Sequence, residues 1–149
     1  MGQRLNNWQL LYQQAIEKPR KFNRGKTDCV MFVLDCISDY TNIDFVKKYD
    51  VKYSNLSQGL KILKDLKGKG KNLNELIISV FDNHFERIHI NLAQRGDIVG
   101  FNSDICSQIN KMPNSGFTLG IMCQGYGRFV TSEGYQDIPR EQLQLAWRV

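Results

Sequence analysis

Apolar residues between positions 4 and 17 recur at three- and four-residue steps: Trp8, Leu11, Tyr12, Ala15 and Ile16. That spacing predicts an amphipathic helix that buries one stripe, and Pro19 stops it. A second helix is expected to begin at Thr27 or Asp28, both good N-cap types. Its Cys29, Val30, Phe32, Val33, Cys36, Ile37 and Tyr40 form an apolar band wide enough for a core helix. Residues 42–49 predict a short helix. Residues 54–66 predict another, with Leu56, Leu60, Leu63 and Leu66 on one side, and Asn72 caps a further helix that runs through Asn83. Beyond about residue 84 the pattern changes to short β-branched and aromatic runs at 87–91, 97–102, 117–124, 128–132 and 146–149. Turn-forming clusters at 94–96, 113–116 and 124–127 separate them, as strands require. Helices first and a meandering antiparallel sheet second give an α+β chain, N-terminal helices packed on a C-terminal sheet. Without a repeat or linker, residues 1–149 read as one domain.

Composition narrows the class. Of 149 residues, 42% are hydrophobic and 23% charged, ordinary globular values that argue against disorder or a fibrous repeat. No apolar run reaches the length of a membrane span, and the first residues hold no signal-peptide core. Gly2 alone makes no myristoylation signal, because Asn6 stands where Ser or Thr is needed. The net charge is +5, concentrated in two basic segments at 18–26 and 61–71. Solvated lysine faces account for such segments, and no nucleic-acid-binding module accompanies them, so nucleic acid is not expected as a partner. A basic rim can equally meet an acidic neighbouring subunit. The cysteines, Cys29, Cys36, Cys106 and Cys123, contain no Cys-x-x-Cys pair and are expected to remain thiols. They show no metal-ligand spacing with His84 and His89, so neither a metal nor a cofactor is expected.

The most informative local feature is Gly25-Lys26-Thr27-Asp28-Cys29, a glycine turn that places a thiol at a helix start. The helix dipole and unpaired amides favour thiolate there, and the same amides can hold an oxyanion. A cysteine that simply packs is the competing reading. Asp28 is explained as a helix cap and is a poor general base, since a carboxylate holds its proton weakly. Of the two histidines, His89 alternates with Arg87 and Asn91 and is expected to face solvent on a strand. His84 is expected at a helix end, where the dipole favours imidazolium. Both read as surface residues. Asp97 is expected to serve a turn or a structural hydrogen bond.

Phe22-Asn23-Arg24-Gly25 followed by Asp28-Cys29 resembles the entry to the catalytic helix of NlpC-type, papain-like cysteine peptidases. Ala93-Gln94-Arg95-Gly96-Asp97-Ile98-Val99-Gly100-Phe101 resembles that family's Gly-Asp-hydrophobic strand, and Leu119-Gly120-Ile121 its next strand. The chain then ends at Ala146-Trp147-Arg148-Val149. The ordered set is similar to a phage and prophage group of NlpC-like proteins encoded among tail genes. It implies a papain-like fold with Cys29 as nucleophile.

Two departures bear on activity. The resemblance puts the peptidases' histidine immediately before the hydrophobic-Gly-hydrophobic triplet, and here that position is Thr118, which cannot accept a proton at neutral pH. The aromatic before the helix is commonly tyrosine, and here it is Phe22, which has no hydroxyl. Cys29 is then a vestigial nucleophile. The implied function is a virion protein, made in the host bacterial cytoplasm, that serves structure or assembly at the tail or head-tail junction. Its partners are other tail or connector subunits. An active peptidase or amidase cleaving cell-wall peptides during genome entry is the alternative, and a host-directed binding protein using the old substrate groove is a third.

Overall fold

The computed structural model describes residues 4–23, 28–102, 117–131 and 133–149. Five helices come first: α1 (Trp8–Glu17), α2 (Cys29–Tyr40), α3 (Phe45–Lys48), α4 (Leu56–Asp65) and α5 (Leu73–His84). Six strands follow: β1 (Glu86–Ile88), β2 (Ile98–Asn102), β3 (Phe117–Met122), β4 (Tyr126–Thr131), β5 (Gly134–Pro139) and β6 (Leu145–Arg148). They form one antiparallel sheet in the order β1-β6-β2-β3-β4-β5. The α+β architecture read from the periodicity is present. The expected turn at 113–116, residues 24–27 and Cys106 lie outside the described residues.

Four helices begin where the sequence supplies a cap. The side chains of Asp28, Asp44, Asn55 and Asn72 each accept a hydrogen bond from a backbone N–H three residues on. The α2 helix is apolar on nearly every side and is accordingly central, with Phe32, Val33, Leu34, Cys36, Ile37 and Tyr40 all buried. On one side of the sheet, these residues and those of α1 and α5 pack with Ile98, Leu119, Ile121, Val130 and Trp147. The opposite face has its own smaller cluster, Val99, Phe101, Met122, Phe129, Ile138, Leu143 and Ala146, with Ala93. No residue of the five helices belongs to it.

Arginines fasten the periphery. Arg4 donates to the backbone oxygens of Val149 (3.0 Å) and Arg95 (2.8 Å) and to Asp97 (2.8 Å), while its guanidinium lies over the Trp8 ring. Asp97, which is buried, also accepts from the backbone N–H groups of Gln94 (2.9 Å) and Val149 (3.0 Å). Arg20 donates to Ala15, Tyr135 and Asp35 and lies over the Phe32 ring.

Some elements differ from the sequence reading. Strand β5 was not foreseen: its apolar Tyr135 and Ile138 do not alternate, and it ends in proline. An edge strand tolerates both, because one side of its backbone pairs with nothing in the sheet. Strand β4 starts at Tyr126, earlier than expected, because Gln124-Gly125 is a two-residue turn with Gly125 at φ +82°. Strand β1 ends at Ile88, so His89 is not in a strand. It is exposed and caps a 3-10 turn, its Nδ1 accepting from the Asn91 N–H at 3.1 Å. Arg20, counted within a basic surface segment, is buried by its three hydrogen-bond partners.

Candidate functional site

Asp28 has extended backbone angles and sits just before the first turn of α2. One carboxylate oxygen accepts from the Met31 N–H at 2.9 Å, the expected capping bond. The other accepts from the hydroxyl of Tyr53, which belongs to the segment joining α3 and α4. The Tyr53 ring lies over Gly59 of α4: a Cβ at that glycine would stand 3.4 Å from the ring. A bond between residues 25 positions apart thus ties the head of α2 to α4.

Cys29 follows, 4% exposed. It and Asp28 line an apolar cavity of about 60 Å³, partly open to solvent, among α2, α3, α4 and α5, with Phe45, Leu63, Ile77 and Val80 among its walls. Its polar lining residues are Asp28, Cys29 and Tyr53. Asp28 is a weak proton acceptor by nature, already engaged by two donors, and its charge disfavours a neighbouring thiolate.

Neither histidine lines this cavity. His84, the last residue of α5, is edge-on to the rings of Phe45 (4.9 Å) and Tyr49 (5.1 Å). Burial, and then the charge of Lys48, lower its pKa. The expectation of a dipole-favoured surface imidazolium is therefore corrected: desolvation between two aromatic rings and a nearby lysine outweigh the helix terminus. His89 is exposed at its 3-10 turn.

Thr118 pairs with Phe101 across β2 and β3. Cross-strand partners share a face, and Phe101 belongs to the cluster remote from the helices. Leu119 and Ile121, on the alternate face, pack with α2. The structure thus sets Thr118 and Cys29 on opposite sides of the sheet. The Thr118 hydroxyl is buried without a hydrogen-bond partner. Phe22, the other position compared with the peptidases, is half-buried, and its N–H donates to the Thr131 carbonyl at 2.9 Å.

Burial disfavours the thiolate at the two other described cysteines. Cys36 is pushed up to about 12, and Cys123 is raised. Among the described residues no group of histidine, cysteine and carboxylate side chains could hold a metal ion, and no helix is long and apolar enough to cross a membrane. Eight exposed lysines between residues 47 and 71, against four acids between 44 and 75, account for most of the +5 charge.

A family model described as a domain of unknown function, DUF6950, matches residues 3–149. The chain belongs to the DUF6950 family. No curated protein and no solved structure matches it. In this DUF6950 chain, Tyr53 and Gly59 are the site residues that sequence reading missed. Their only local signals were a tyrosine in a loop and a glycine inside a helix, and neither points to Asp28.

Proposed function

We propose that the chain is a non-catalytic component built on a degenerate papain-like, NlpC-like scaffold, serving structure or assembly at a phage tail or head-tail junction. One observation carries the non-catalytic part. Cys29 opens on a cavity with no imidazole, and the one carboxylate beside it is already engaged by Tyr53 and Met31. A thiol nucleophile needs a base to take its proton or an environment that favours thiolate. Neither histidine lines the cavity, and Cys29 itself is buried. The NlpC-like scaffold and the virion setting rest on the ordered sequence resemblance around Cys29, Asp97 and Leu119; helices preceding an antiparallel sheet are consistent with that scaffold.

Purified chain incubated with cell-wall peptides is expected to release no product, and Cys29→Ala is expected to behave identically. Hydrolysis that disappears in Cys29→Ala overturns the non-catalytic reading in favour of a cell-wall peptidase. Mass spectrometry of purified particles is expected to find the chain at a fixed ratio to other tail subunits. Its absence from particles, with recovery on a host protein, overturns the structural assignment in favour of host-directed binding.

A further inference from the structure

We propose that the cavity behind Cys29 is a binding site for the short aliphatic chain of a small molecule, with the thiol and the Asp28–Tyr53 pair at its polar end. Protein interiors seldom keep voids larger than a water molecule, yet this one measures about 60 Å³ and its walls are the side chains of Phe45, Leu63, Ile77 and Val80. An apolar void of that kind stays dry and accepts apolar guests. It is well below the roughly 150 Å³ that admits benzene, which sizes the guest at about two to four carbons. Polarity is confined to one edge: Asp28, itself 4% exposed, holds the Tyr53 hydroxyl, and Cys29 stands beside it. A guest with an apolar tail and a polar head fits that division. The cavity is partly open, and of the described side chains of α4 only Leu63 is buried, so that this wall is thinly held. The Tyr53 ring packed on Gly59 latches the same wall to α2.

The site goes beyond the non-catalytic reading and does not depend on it, since its test reads chain length rather than hydrolysis. The native chain is treated with methyl, ethyl, propyl and hexyl methanethiosulfonates and with a trimethylammonioethyl analogue. The thiolate attacks the sulfenyl sulfur, forms a mixed disulfide and releases methanesulfinate. Peptide mapping then follows Cys29 alone. Rates relative to a free thiol are expected to rise about fourfold per methylene up to propyl, the ratio that burial of one methylene confers, and to level off by hexyl. The cationic reagent is expected to be slowest. Tyr53→Phe is expected to raise all rates by one common factor. Independently, dissolved xenon is expected to shift the methyl resonances of Ile77 and Val80 and leave those of Val99 and Ile138 in place. Rates independent of chain length, no reaction at Cys29 short of unfolding, or Ile77 and Val80 methyls unmoved by xenon each overturn the proposal.

Discussion

His84 shows how local surroundings override a terminus effect. Its folded-state pKa lies below the ordinary 6.5 because burial against Phe45 and Tyr49, and then Lys48, disfavour the imidazolium. The unfolded chain therefore takes up the proton first as pH falls. Stability is full above about pH 6.5 and declines as the pH drops from there toward the lowered folded value. An NMR titration is expected to place His84 below the ordinary histidine value, and Lys48→Gln is expected to move it upward. Asp97 is the other decisive residue, with three donors, Arg4, Gln94 and Val149, beside Gly96 at φ +90°. The Arg4 and Asp97 side chains are 14% and 2% exposed. Breaking such a buried pair typically costs about 3–5 kcal/mol, so Asp97→Ala is expected to lower the denaturation midpoint by a corresponding amount in a urea titration. Sequence reading gave Asp97 a structural role. It gave no hint of Arg4, because a bond across 93 residues leaves no periodic trace.

At the scale of elements, glycines separate tolerance from necessity. Gly59 is inside α4, where a Cβ would make ordinary contact with the Tyr53 ring at 3.4 Å. Gly59→Ala is expected to stabilise the chain by about 0.5–1 kcal/mol through helix propensity and a less disordered unfolded state, read as a raised Tm. Gly120 in β3 is the reverse. A Cβ there would stand 2.3 Å from the Arg128 backbone oxygen and 2.7 Å from the Phe129 ring. Gly120→Ala is expected to destabilise by about 1–3 kcal/mol or more, since backbone cannot yield as a side chain does. The caps at Asp28 and Asn72 were legible because capping is local, an Asp or Asn just before an apolar run having one common structural use, whereas those at Asp44 and Asn55 were not foreseen. Strand β5 was not legible, because its support comes from β4 and its own residues carry no alternating pattern.

Across the whole molecule, the two faces of the sheet decide what the site can be. The face with α2 holds Cys29, its cavity and the central helix, whereas the cluster on the other face, which contains Phe129, is built from strand residues with Ala93 and Leu143 from the adjoining turns. The lysines on the α3–α5 side are exposed, so their contribution to any association is expected to weaken steeply with added salt. The sequence by itself determined the class: helices before strands, the capped starts of α2 and α5, and a thiol at the head of the central helix. Those features follow from periodicity and from contacts within a few residues. Only the tertiary structure decided that Tyr53 holds Asp28, that His84 is wedged between aromatic rings away from Cys29, and that Thr118 faces the opposite side of the sheet. These are meetings of distant segments and outcomes of strand register, and a shift of one residue in register would have turned Thr118 toward the helices.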